Sequence, residues 1–377
     1  MVPLGEVLTP AGEPHRVETE RSYPNLGIYS FARGCFEKPP IDGNLTSAPT
    51  LYRVRSGQFI YSRLFAFEGA YAVVPDELDG AFVSNEFPCF DVQRDLALPR
   101  YLRWMFSLPR MWASLAEGSK GMGDRRKRVH PEQLLTFQAA LPSLDMQRRI
   151  VARLDAVEAR IAQRQCAVDA LDKELAALLA AAFRRITEDA PRARMGDIAP
   201  IVRRPITIET DQVYREIGAR AFGRGLFEKP PLRGDSLTWQ KLFLIEAGDL
   251  VISNIKAWEG AFAVADAAHH GAVGSHRYLT SVVDRRRVTP DFAWFFLQSP
   301  PGIAQVQAAS PGSADRNRTL SQDRFAAIEV PVPPLDAQQW FDALQQKARA
   351  AREAQASAAA ELDHLVPALL AEAFGSG

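Results

Sequence analysis

The feature that most constrains this chain is that it is written twice. Phe31-Ala32-Arg33-Gly34-Cys35-Phe36-Glu37-Lys38-Pro39-Pro40 returns as Phe222-Gly223-Arg224-Gly225-Leu226-Phe227-Glu228-Lys229-Pro230-Pro231, identical at eight of ten positions, with Glu37 and Glu228 standing 191 residues apart. The same offset carries Leu4-Gly5-Glu6 onto Met195-Gly196-Asp197, Gly27 onto Gly218, Gly57 onto Gly248 and Glu68-Gly69-Ala70 onto Glu259-Gly260-Ala261. Farther on it carries Pro99 onto Pro290, Asp124-Arg125 onto Asp315-Arg316, Pro142 onto Pro333 and Gln147 onto Gln338. An offset that needs no gap implies two copies of one structure. Its period is domain-sized, far beyond the roughly 20–50 residues of a solenoid repeat.

Each copy divides into a globular part, residues 1–143 and 189–334, and a helical part, residues 144–188 and 335–377. The globular parts carry short β-type runs broken by Gly, Pro and Asp. Gln58–Ser62 with Ala70–Val74, and Asp249–Ser253 with Ala261–Val264, read as paired strands. Tyr101–Phe106 and Phe292–Leu297 read as buried helices that follow a proline start. The helical part has a clearer signature. Ile150, Leu154, Val157, Ile161, Val168, Leu171, Leu175 and Leu178 fall on alternating three- and four-residue steps, with Arg164 in the one polar gap. That is the a/d seam of a coiled coil.

The second helical run has a poorer seam, including Phe341, Ala348, Leu362, Val366 and Leu369, with Pro367 near its end. One apolar stripe needs a partner. The two stripes of one chain satisfy each other if the helices lie antiparallel; a coil between two copies of the chain is the alternative. The expected fold is therefore α/β, mixed α+β: two repeated domains separated by two long helices in an antiparallel coiled coil, with pseudo-twofold symmetry.

Composition narrows function mainly by exclusion. There is no phosphate-binding glycine loop, no dinucleotide fingerprint, no Asn-Pro-Pro-aromatic motif of amino-methyltransferases, no nucleophile elbow and no His-Glu-x-x-His. Cys35, Cys89 and Cys166 are too few and too far apart for a disulfide framework or a zinc site. His269-His270 reads as a surface turn, so no catalytic residue and no metal ligand is assigned. No apolar run approaches the roughly 20 residues of a membrane span, and Met1–Glu6 lacks the pattern of a secretory signal. A cytoplasmic protein with no membrane partner is expected.

Net charge is zero, with 45 basic and 45 acidic residues, so a nucleic-acid surface would have to be local. Two places qualify, in both copies. Arg33 with Lys38, and Arg224 with Lys229, flank the Gly-x-Phe loop and suit phosphate or base-edge contacts as well as they suit solvated loop positions. The glycine-led run ending in Arg125, Arg126, Lys127 and Arg128 has its counterpart in Arg316 and Arg318. A charge run is ordinarily a solvated face, but recurrence at one place in both copies suits tracking of a DNA backbone.

The junction of globular and helical parts reads Leu141-Pro142-Ser143-Leu144-Asp145-Met146-Gln147, and again Val332-Pro333-Pro334-Leu335-Asp336-Ala337-Gln338. This repeated Pro-x-Leu-x-x-Gln entry to a long helix, with the Arg-Gly-x-Phe-x-Lys and Glu-Gly-Ala elements, resembles the specificity subunits of type I restriction-modification enzymes across essentially the whole chain. The resemblance implies two target-recognition domains, each reading half of a bipartite, asymmetric site in double-stranded DNA. It implies a helical spacer docking methyltransferase subunits, expected as two, through Leu154, Val157, Ile161, Leu171, Leu175, Leu178, Leu362, Val366 and Leu369. S-adenosylmethionine would sit on those partners, and ATP with Mg on a restriction subunit where one joins; this chain would bind no cofactor and catalyse nothing. Two alternatives stay open: recognition in another modification or phage-defence system, and a scaffold whose coiled coil joins two protein-binding domains.

Overall fold

The structure is a computed structural model and describes residues 1–117, 128–237, 241–312 and 318–375, without the side chains of 116–117 and 361–363. The chain divides into two compact units, one formed by Met1–Cys166 with Ser357–Gly377 and the other by Ala167–Ala356. Each globular part keeps its own unit, but each unit also takes a piece of both helical parts.

The centre of each unit is the same four-stranded antiparallel sheet. In the first its order is Leu8–Ala11, Cys89–Val92, Phe59–Tyr61, Tyr71–Val73; in the second it is Ile201–Val202, Tyr278–Val282, Asp249–Ser253, Phe262–Val264. Register repeats with the sequence: Ile60 lies opposite Ala72, and Val251 opposite Ala263. Successive side chains of a strand point to opposite faces. Phe59 and Tyr61 accordingly enter one core cluster and Ile60 another, as Leu250 and Ile252 part from Val251. Burial on both faces is why these runs are apolar without a break.

The start and end of each globular part meet. Val2–Pro3 pairs with Gln138–Ala139, and Arg192–Arg194 pairs with Glu329–Pro331. The copies diverge at the side. There the first unit has a five-stranded sheet (Glu13–Arg16, Thr50–Arg53, Phe82–Val83, Ser22–Ile28, Cys35–Asp42), whereas the second has three separate two-stranded ladders.

The helices Pro99–Met105 and Pro290–Gln298 begin with proline at the first turn, where a missing N–H costs nothing. The long helix runs Leu144–Thr187, and the Ser143 hydroxyl accepts the Met146 amide at its start (3.4 Å). The second helical part is not one helix, as its sequence suggested, but two: Leu335–Asp363 and Leu365–Phe374. Pro367 lies in the first turn after the break, because it cannot donate to the carbonyl four residues back and its ring crowds that carbonyl.

Along the long helix Leu154 is buried, and Val157, Ile161, Leu171 and Leu175 are half-buried. Leu178 is 50% exposed, and the buried position belongs to Leu179. The apolar stripe takes a four-residue step there, which places Phe183 one further turn along, against Phe292, Phe295 and Phe341. In the second unit Asp172 meets Arg352 (2.9 Å) and Phe183 meets Phe341 (ring centroids 5.5 Å), so the two segments run antiparallel. In the first unit Leu154, Trp104 and Leu370 form one cluster with Val366 and Leu369, and Arg153 bonds Glu372 at 2.7 Å.

Candidate nucleic-acid interface

The repeated Arg-Gly-x-Phe element is a β-hairpin tip in both units. Ser22–Ile28 pairs with Cys35–Asp42, and Ile217–Ala219 pairs with Leu226–Glu228. Gly27 and Gly218 pass directly beneath a ring: a Cβ would stand 2.5 Å from Phe36 at the first and 2.7 Å from Phe227 at the second. The tip is unusual because residues with side chains adopt left-handed backbone, Phe31 at φ 61°, Ala32 at 53° and Phe222 at 60°. Hydrogen bonds hold it there. The amides of Phe31 and Ala32 donate to the carbonyls of Glu68 (2.7 Å) and Gly69 (2.9 Å), and those of Phe222 and Gly223 to Glu259 (2.8 Å) and Gly260 (3.1 Å). The tip therefore sits on the Glu-Gly-Ala turn, whose own bend needs the left-handed Gly69 (φ 78°) and Gly260 (φ 74°).

The basic loop comes back to the same turn. The Val129 amide donates to Arg63 (3.2 Å) just before that turn, and its counterpart Leu320 donates to Asn254 (2.9 Å). Tyr61, whose buried phenol is pushed to a high pKa by desolvation and stays neutral, donates to the Val129 carbonyl (3.0 Å). In the second unit Arg318 lies over Trp258 (5.0 Å), and Lys256 lies over the same ring at 5.2 Å. Each unit thus assembles hairpin tip, Glu-Gly-Ala turn and basic-loop exit into one corner.

The expected DNA-binding residues divide into free and committed ones. Arg33 is exposed, donates to the Ser30 carbonyl (3.1 Å) and lies over Tyr29 (5.0 Å), itself stacked on Phe36. Arg224 is exposed near Phe222, its guanidinium 5.9 Å from the ring centre. Among the described residues no carboxylate pairs with either. Lys229 is committed elsewhere, 2.8 Å from Glu216 and 4.7 Å from the Tyr278 ring. Lys38 is half-buried beside Gly27, and the position of Glu216 is Asn25 in its copy. Arg128 pairs with Glu86 at 3.3 Å. Arg125, Arg126, Lys127 and Arg316 lie outside the described residues, as does the side chain of Leu362. In the second unit an open cleft of about 1060 Å³ reaches from Arg224 and Gly225 to Arg349 and Arg352 on helix Leu335–Asp363.

Sequence reading alone passed over two features. Phe31 and Phe222 stood out only as matched positions of the repeat, yet they are 65% and 71% exposed. The junction glutamines were seen only as a signature, whereas both are fully buried and bonded alike. Gln147 donates to Leu96 and Pro142 and accepts from the Leu98 amide; Gln338 donates to Arg287 and Pro333 and accepts from Thr289. Each ties the first turn of a long helix to the loop that enters the proline-started helix.

No family model and no curated protein matches the sequence. Solved structures do. The chain superposes on the HsdS subunit from Thermoanaerobacter tengcongensis with TM-score 0.54 and 22% identity, over 99% of this chain and 95% of that one. A chain from a structure concerned with complex assembly and conformational transition of the type I R-M system gives TM-score 0.65 and 20% identity, over 100% and 97%. The fold is that of an HsdS subunit. The type I S subunit from M. genitalium shares it at 10% identity, with TM-score 0.55, over 99% of this chain and 95% of that one. The HsdS fold accommodates both repeats of the present chain and both helical parts, with almost nothing left over on either side.

Proposed function

We propose that this protein is the DNA sequence-specificity subunit of a type I restriction-modification complex. Each unit reads one half of a bipartite, asymmetric site in double-stranded DNA. Adenine methylation, with S-adenosylmethionine, belongs to two partner methyltransferase subunits, and ATP-dependent restriction to a further subunit. This chain is a cytoplasmic, non-catalytic reader. One observation carries the reading: the same corner of unpaired arginine, Glu-Gly-Ala turn and basic-loop exit is built once per unit, within a fold shared over its whole length with HsdS subunits. Phosphate contacts fix register on DNA while side chains in the grooves read bases, and a duplicated corner suits a divided site. The helix Leu144–Thr187 is about 66 Å long at 1.5 Å per residue, enough to cover one to two turns of DNA at about 34–36 Å each.

The test is to map methylated adenines genome-wide in the host with and without this gene. A divided motif that loses methylation on deletion is the expected result. An unchanged methylation pattern would overturn the assignment.

A further inference from the structure

We infer that Phe31 and Phe222 are aromatic probes that stack on or wedge between DNA bases, one per recognition domain. The inference rests on the DNA-reading assignment above and adds a contact class that a basic surface alone does not supply. Phe222 and Phe31 are the two most exposed aromatic side chains among the described residues, at 71% and 65%, and they occupy equivalent positions of the repeat. The duplicated fold thus presents the same ring to solvent in both copies.

Both also sit on left-handed backbone, at φ 60° and 61°, which costs a residue with a side chain about 1–2 kcal/mol. Glycine would remove that cost, and glycine does stand within three residues, at 34, 223 and 225. The tip instead retains phenylalanine and is held in place by amide bonds to the Glu-Gly-Ala turn. A ring presented outward on an over-determined bend is pre-organised to contact something.

Charge selects DNA as that partner. Arg33 and Arg224 follow the two phenylalanines by two residues, and no carboxylate among the described residues pairs with them. Just past the basic runs, the Val129 and Leu320 amides donate to Arg63 and Asn254, a few residues before the turn that holds the tip. A protein-docking knob has no need of unpaired cations on the same bend, whereas a base-stacking ring needs cations at the flanking phosphates. Aromatic wedges between base steps and aromatic stacking on unpaired bases are both established uses of such a ring.

The experiment uses the full chain with its methyltransferase partners and a duplex bearing the mapped motif, with 2-aminopurine at successive positions. Phe31→Gly and Phe222→Gly remove the ring and relieve the backbone strain together. Each is expected to weaken binding about five-fold to a hundred-fold, the range for losing one stacked base. Salt dependence should be unchanged, and the local 2-aminopurine signal should disappear in the half-site that the variant domain reads. Phe31→Tyr and Phe222→Tyr should bind within a few-fold of the parent. Arg33→Ala should do the opposite of the glycine variants, lowering the salt slope by about 0.9 for each phosphate it no longer neutralises. Unchanged affinity in both glycine variants overturns the inference while leaving the DNA-reading assignment intact. So does a loss of complex assembly with methyltransferase, since that outcome makes the ring a protein contact. Failure of the parent complex to bind any duplex overturns the assignment itself.

Discussion

Gln147 and Gln338 show how much a single side chain can decide. A carboxamide offers two donor hydrogens and an acceptor oxygen, and each of these glutamines uses both functions, bonding three backbone groups from its fully buried position. The same joint in the second unit carries a titratable group. Asp342 is raised to a pKa of about 6, chiefly by burial and further by the neighbouring Asp291 carboxylate, against the opposing Thr289 hydroxyl and Arg349. An acid whose folded pKa exceeds its unfolded value binds more protons when folded, so stability falls as pH rises between the two values. From about pH 4 to pH 7 this group should cost the second unit roughly 1 kcal/mol, after allowing for partial exposure. Denaturant melts across that range should show the decline in the parent and its absence in Asp342→Asn. A parallel decline in both proteins would place its source elsewhere.

At the scale of elements, the two copies attach domain to helix with opposite polarity. In the first unit Arg100 and Arg103 of the short helix meet Asp155 and Glu158 of the long one. At the positions equivalent to Arg100 and Glu158 the second unit has Asp291 and Arg349, paired at 3.0 Å. The geometry was duplicated and the charges were exchanged. Each domain is thereby matched to its own helix and would face like charge on the other, a device that disfavours mispairing between copies. Arg349→Glu should destabilise the second unit by about 0.5–1 kcal/mol, the scale of a partly exposed pair. Adding Asp291→Arg should recover most of that loss in a double-mutant cycle of thermal melts; a strictly additive second loss would show that the pair is not coupled.

Across the whole molecule, sequence distance and structural membership part company. The last stretch, Ser357–Gly377, belongs to the unit formed by the first 166 residues. Leu370 is buried with Trp104 and Leu154, and Arg110 donates to the Phe374 and Gly375 carbonyls. Truncation after Ala356 therefore strips an apolar lid from the domain farthest away in sequence. Loss of Leu370 together with its half-buried neighbours should cost the first unit about 3 kcal/mol or more, by the value of a buried Leu and the cavity left behind. Hydrogen exchange should rise across 99–117 and 144–160 and stay at parental levels in 249–298. Uniform protection after truncation would rule out this division of the chain.

Much of this was legible in the sequence because its causes are local or repeated. The constant offset announced two copies, β-type runs and a heptad pattern gave strands and the long helix, and proline marked the helix starts at 99 and 290. Repetition also matched the basic runs of the two copies to each other, but not to the hairpin tips they lie beside. Long-range packing decided the rest. Which turn of the helix is buried at Leu178 or Leu179 depends on where the aromatic cluster at Phe292, Phe295 and Phe341 lies. Whether Lys38 or Lys229 is free depends on Asn25 or Glu216 across the hairpin. How exposed Phe31 is depends on a left-handed bend hydrogen-bonded to the Glu-Gly-Ala turn, more than thirty residues away. Composition and periodicity fix which face of an element is apolar; what that face meets is settled by residues far away in the chain.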